Sequence, residues 1–234
     1  MSRQIVALSI LWISALAAVG RAKEDPPPTA DEIMRVVRMS YVNQDSKLTG
    51  RLRDTENGAD QPFELTMAQQ AIRFRFSDPN EIVNLDLSTA PPTLARVVAG
   101  SKETVPDTQL SAPIRGMAVS YEDLAMRFLD WPNGKLLKSE TVSLAKCWKV
   151  HVAAPDNVGS YGSVDLWVHQ ASGGLAKMEA YDRAGKLIKR FEVRGTQKAG
   201  DAMILEKMLM DTVDPASGKK LARIIMSIDK PRKN

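Results

Sequence analysis

Cysteine and histidine are nearly absent from this chain of 234 residues: it has one cysteine, Cys147, and two histidines, His151 and His169. One thiol cannot form an internal disulfide, and so few thiols and imidazoles exclude zinc-finger, iron–sulfur and most thiol-based chemistry. Aromatics are also sparse, with 5 Phe, 4 Trp and 4 Tyr. An excess of one charge is lacking as well. The 32 Lys and Arg, two of them (Arg3 and Arg21) in the leader described below, face 28 Asp and Glu. So small a balance gives no field to hold a phosphate backbone, which excludes nucleic acid as a partner. No glycine-rich phosphate loop occurs, and no serine or cysteine nucleophile has a recognisable partner arrangement, so no catalytic residue, cofactor or enzymatic activity is assigned. No period of 20 to 50 residues recurs, which excludes a solenoid or propeller.

The leader is the first feature present. Arg3 precedes an uncharged run from Ile5 to Val19, and Gly20-Arg21-Ala22 follows, with small residues in the third and first positions before a cut. This is the layout of a secretory signal peptide spanning residues 1–22. About 15 apolar residues fall short of the ~20 that cross a bilayer. The expectation is a soluble protein exported to the periplasm and cleaved near Ala22. Residues 23–29 are charged and then triply proline, an extended lead-in to a single domain over 30–230.

That domain opens on a helix. Thr29 and Glu32 have capping-box spacing, and Ile33, Val36, Val37 and Tyr41 form one apolar stripe. The period then changes to two. Alternation runs through 47–53, 63–67, 72–76, 83–87 and 94–99, and again through 146–153, 161–169, 175–181, 187–193, 203–211 and 221–228. Between the two series, Ser120 and Asp123 offer a second cap for a helix over 121–129, which Trp131-Pro132-Asn133-Gly134 stops. Strands that follow one another through short turns pair antiparallel, and ten or eleven of them must curl or split. The expected fold is mainly β with two or three helices, a large curved sheet whose concave face the helices cover.

The strand positions assigned to the inner face are Leu65, Phe74, Leu85, Val150, Leu166, Met178, Phe191, Met208 and Ile225. The bland reading is a solid core. The alternative is a cavity for hydrocarbon, which the methionines near the end of the chain favour, because an unbranched thioether side chain adapts to irregular contents. Each methylene moved from water into such a lining contributes roughly 0.8 kcal/mol.

The leader, capped helix, strand series, second short helix and further strands together resemble the bacterial outer-membrane lipoprotein-sorting family (LolA-like), and the second half is similar to an uncharacterised branch of that superfamily. The stretches that carry this are Ser120-Tyr121-Glu122-Asp123-Leu124, Cys147-Trp148-Lys149-Val150, Leu166-Trp167-Val168, Met178-Glu179-Ala180-Tyr181-Asp182 with Gly185-Lys186, and Lys189-Arg190-Phe191. The resemblance spans residues 30 to 230. It implies an unclosed half-barrel whose apolar cavity receives the acyl chains of lipoproteins or free lipid, delivered from an inner-membrane donor to an outer-membrane acceptor. The nine inner residues then line the cavity, and Ile33, Val37, Tyr121, Leu124 and Phe128 belong to the lid. The family's carriers hold their closed state with a lid arginine, a role assigned here to neither Arg35 nor Arg38. The family's receptor branch carries its lipid on a cysteine, and this chain has none near the cut, which favours a soluble carrier or, as the alternative, a lipid- or peptide-sensing regulatory protein.

Two further constellations carry groups capable of chemistry. His151, His169, Asp165 and Cys147 share a strand parity and form a borderline metal set, yet solvent-facing polar positions explain them equally well, so no metal site is assigned. Glu122 and Asp123 point apart on a helix and suit its first turn electrostatically. Cys147, in an alternating stretch, reads as a half-buried structural thiol.

Overall fold

Alternation of apolar and polar residues at period two puts one row of side chains on each face of a strand, and a sheet with one apolar face must curl over whatever that face buries. The computed structural model describes residues 26–42, 46–68, 70–89, 91–156, 158–199 and 202–231. The expected leader and Tyr41's side chain lie outside the described residues. Within them, α1 (Ala30–Val42) is followed by β1 (Ser46–Asp54), β2 (Asp60–Ala68), β3 (Ala71–Phe76), β4 (Glu81–Asp86), β5 (Thr93–Val98) and β6 (Ser101–Thr104). A second run follows the short helix α2 (Tyr121–Ala125). It comprises β7 (Lys135–Leu136), β8 (Glu140–Val142), β9 (Ala145–Ala153), β10 (Ser163–His169), β11 (Leu175–Tyr181), β12 (Leu187–Ala199), β13 (Ala202–Val213) and β14 (Lys220–Ile228).

All the strands belong to one antiparallel sheet ordered β6-β5-β4-β3-β2-β1-β14-β13-β12-β11-β10-β9-β7, with β8 paired to β9. β1 joins β14, so the two meanders meet at the middle and, among the described residues, β6 and β7 are the two edges of the sheet. The sheet is therefore not closed into a barrel. The chain must travel from one edge to the other between β6 and β7, and residues 105–134 do so as a strap lying on the inner face. Val105, Leu110, Ile114, Met117, Val119, Tyr121, Leu124, Phe128 and Leu129 of the strap are buried in the same core as the strands.

Both sequence-read caps are real. Thr29 and Glu32 exchange bonds, Thr29 N–H donating to Glu32 Oε2 at 2.7 Å and Glu32 N–H to Thr29 Oγ1 at 3.2 Å. Ser120 and Asp123 do the same at 2.7 and 3.2 Å. The helices that follow differ from expectation. The buried face of α1 is Ala30, Ile33, Met34 and Val37, an i, i+3, i+4, i+7 set, while Val36 is 48% exposed. The buried stripe is thus rotated from the expected one, with Met34 in place of Val36. α2 stops at Ala125, because Met126 adopts the left-handed conformation (φ 44°) and Arg127–Asp130 form a 3-10 turn. That break turns Phe128 and Trp131 toward each other, edge to face at 6.4 Å. What packs into the core beside the strands is therefore α1 and a largely irregular strap rather than two full helices.

Candidate functional site

Cross-strand register decides which apolar residues meet. Directly opposed residues form one unbroken row on the inner face: Ile224, Met210, Phe191, Met178, Leu166 and Val150 across β14, β13, β12, β11, β10 and β9. None is more than 2% exposed. On the other meander, Leu48, Leu65, Phe74 and Val83 form a second row, and Met67, Ile72, Leu85 and Leu94 a third. Seven of the nine residues assigned inward thus lie buried in these rows. Met208 opposes the buried Met226 and is itself half-buried. Ile225 is on the outer face, opposite Arg53 and Leu209. Consecutive isoleucines at 224 and 225 left the parity of β14 open, and it is Ile224 that points inward.

These rows do not share the same filling. The end of the sheet that carries the β3–β4 turn and the starts of β2, β4 and β12 is occupied by the strap. There Arg115 Nε donates to Gln61 Oε1 at 2.7 Å and its Nη1 to the Pro79 carbonyl at 2.8 Å. The Tyr121 hydroxyl donates to Glu81 Oε1 at 3.1 Å. Lys189 Nζ reaches Asp123 Oδ2 at 3.0 Å and the Ala118 carbonyl at 2.9 Å.

Glu122 and Asp123, read from the sequence as helix-terminal acids, are each 3% exposed. Both tie the strap to the second meander. Glu122 Oε2 accepts from Ser160 N–H at 2.9 Å and Ser160 Oγ–H at 2.8 Å, and Asp123 accepts from the Tyr161 hydroxyl. Gly159 (φ +58°) makes this approach feasible, since a Cβ there would sit 2.1 Å from Glu122 Oε1. Burial pushes the Glu122 carboxyl above the usual range, against the pull of the Ser160 and Tyr161 donors, and the Asp123 charge pushes it the same way. Burial, with Asp123 and Glu122 beside it, also raises Tyr161 well above an ordinary phenol, so it is a neutral donor.

Toward the opposite end the strap contributes only its turn at residues 125–130, against which α1 packs. A cavity of about 380 Å³ opens there, lined by Arg35, Arg38 and Met39 of α1, Gln70, Ile72, Leu85, Leu87, Ser88, Thr89 and Pro92 around β3 and β4, and Ala125, Met126, Leu129 and Asp130 of the strap. Its walls are aliphatic and thioether. Its rim is polar. Arg38 Nη1 donates to Asp130 Oδ1 at 2.7 Å, and this pair bridges α1 to the 3-10 turn. Of the nine inner residues only Leu85 reaches this cavity. Of the five lid residues none does: Ile33, Val37, Tyr121, Leu124 and Phe128 are all buried in the core. Their neighbours Met39, Met126 and Leu129 line it instead. They lie one or two residues from Val37, Leu124 and Phe128, but α1's rotation and the break at Met126, which bring them to the cavity, depend on tertiary packing.

The outer face of the second meander carries an ionic row that spacing alone did not reveal. Arg223, Asp211, Arg190, Glu179, Asp165 and His151 oppose one another in turn. Arg223 grips Asp211 with two bonds of 2.6 and 2.7 Å. Although burial raises the Glu179 carboxyl, hydrogen bonds from Lys177, Arg190 and Tyr181 hold it below its ordinary value. Trp167 lies between Lys149 and Lys177, whose ammonium groups are 4.5 and 4.2 Å from its ring centroid, and its indole N–H donates to Glu140 at 2.8 Å.

The borderline metal set separates into two pairs, His151 with Asp165 and His169 with Cys147. His151 Nδ1 lies 2.7 Å from Asp165 Oδ1, whereas His169 Nδ1 meets Ser172 Oγ at 2.7 Å. Cys147, opposite His169, is fully buried, and burial raises its thiol pKa. Among the described residues no group of three or more His, Cys, Asp and Glu comes together as a metal site.

The comparisons with known proteins bear on the same second meander and strap. A family model described as an uncharacterized protein matches residues 100–229. The chain belongs to that family. No curated protein matches the sequence. Among solved structures, a Vibrio parahaemolyticus domain described as outer-membrane lipoprotein-sorting is similar with a TM-score of 0.68 at 15% identity, over 86% of this chain and 90% of that one. A LolA superfamily protein of Nitrosomonas europaea is similar with a TM-score of 0.65 at 17% identity, over 87% and 93%. At such identities the likeness is one of fold, and the fold is the LolA-like one that the sequence stretches suggested. Two of those stretches touch directly, through Lys189 and Asp123.

Proposed function

We propose that this protein is a carrier that holds one acyl chain of a lipid or lipoprotein in the cavity beneath α1, in the periplasm, and conveys it toward the outer membrane. The observation that supports this best is the asymmetry of the inner face: the second meander is packed solid, while Ile72, Leu85, Leu87, Met39 and Met126 surround open space of about 380 Å³. At about 30 Å³ per small group, that space accommodates on the order of ten methylenes. Their transfer from water contributes about 8 kcal/mol before ordering costs, at roughly 0.8 kcal/mol each. No reacting group is needed for this task, and a half-open site permits release. Two methionines in the wall suit chains of differing length. Among the described residues no helix is long and apolar enough to cross a membrane.

Mass spectrometry of gently purified protein, together with uptake of a fluorescent fatty acid, tests the reading. Co-purifying acyl species and saturable uptake at one chain per protein are expected. A protein free of lipid that takes up no probe contradicts it.

A further inference from the structure

The rim of the cavity carries an imbalance of charge. Arg35 and Arg38 both line it, and Asp130 is the only carboxylate among its lining residues. Arg38 gives Nη1 to Asp130, but its Nε is buried and has no hydrogen-bond partner. Buried guanidinium nitrogens are almost always satisfied, so an unpaired one beside a cavity marks a place where an acceptor belongs. Arg35 stands one turn earlier on the same helix, exposed, and forms no ion pair among the described residues. Glu32, the acid closest to it in sequence on α1, bonds to Thr29, whose backbone and hydroxyl hold its carboxyl below the usual range, with a smaller pull from the Arg35 charge. Two cations against one engaged anion leave the mouth net positive where an apolar chain would emerge.

We infer that Arg35 and Arg38 bind the oxyanion head of the amphiphile whose chain occupies the cavity, a carboxylate or a phosphate. The inference rests on the acyl-carrier reading and adds the chemical class of the head. A guanidinium offers several donors in a fixed plane, so Arg38 can keep its bond to Asp130 while Nε and the free edge turn to a second oxyanion. The Asp130 carboxylate, by partly neutralising Arg38 and repelling a second anion, tempers affinity so that the ligand is held reversibly.

Calorimetric titration of the delipidated full chain with decanoate, decyl phosphate and decanol separates the possibilities. Either anionic ligand should bind at least about tenfold more tightly than decanol, a difference of about 1.4 kcal/mol, and the tighter of the two names the source of the head group. Arg35→Gln, at an exposed position, should reduce that preference without changing decanol binding. Asp130→Asn should increase affinity for the anions by freeing Arg38, whereas a merely structural Arg38–Asp130 bridge would make the same change weaken all three ligands alike. Equal binding of decanol and the anions overturns the head-group inference and leaves the acyl carrier standing. Failure of all three ligands to bind overturns both.

Discussion

The two ends of this half-barrel are made from the same alternating strands, yet one is filled and the other is hollow. Where the strap crosses, the inner rows from Val150 to Ile224 are sealed, and even the carboxylates of Glu122 and Asp123 are buried and bonded. Where α1 and only residues 125–130 of the strap face β3 and β4, Ile72 and Leu85 border open space. Strand pattern therefore makes a surface apolar, but what is laid on it decides whether that surface becomes core or cavity. In this chain the deciding element is the connection from β6 to β7, which has to cross the sheet because its two ends are on opposite edges.

The contrast predicts unequal responses to substitution. The largest effect belongs to the filled end. Phe191→Ala should lower unfolding free energy by about 3–5 kcal/mol, measured by denaturant titration, because its neighbours Met178 and Met210 are locked in the same row. The folded fraction should still take up a fatty-acid probe. A loss of uptake with little loss of stability would place the guest in that row and erase the distinction.

Leu87→Trp should do the reverse. It is half-buried at the hollow end, so the added bulk enters the cavity at a stability change within about 1 kcal/mol, while probe uptake falls at least about tenfold.

The smallest effect concerns pH. Because the Glu122 carboxyl is raised in the folded protein, it binds a proton there more readily than in the unfolded chain, and its contribution to stability declines as pH rises above its ordinary value of 4.5. Glu122→Gln removes that slope. Thermal melts from pH 4.5 to 7 should therefore show the variant gaining on the parent protein as pH rises. A difference independent of pH would mean that the carboxylate is not penalised by its burial.

Much of this arrangement is written locally in the chain. Eleven alternating segments correspond to eleven strands, and both capping boxes form as Thr29/Glu32 and Ser120/Asp123 spacing suggests. Three strands escape the pattern for a shared reason. β6 (Ser-Lys-Glu-Thr) is exposed throughout, β7 has two residues and β8 three. Edge strands bury too little to need an apolar face. The site was less legible. Leu85 could be found by period two, but Arg38, Met126 and Asp130 come together only once α1 is rotated and α2 breaks at a left-handed Met126. The ionic row on the outer face likewise needs register, because Asp165, Glu179, Arg190, Asp211 and Arg223 are neighbours across strands and not along them.

Photo-crosslinking with a fatty acid carrying a diazirine at its tail, followed by peptide mapping of the adducts, tests the division between the two ends most directly. The account predicts adducts in α1 around Met39, in residues 85–92 and at 125–130. Adducts concentrated on Val150, Leu166, Met178 or Phe191, or none at all, would contradict it.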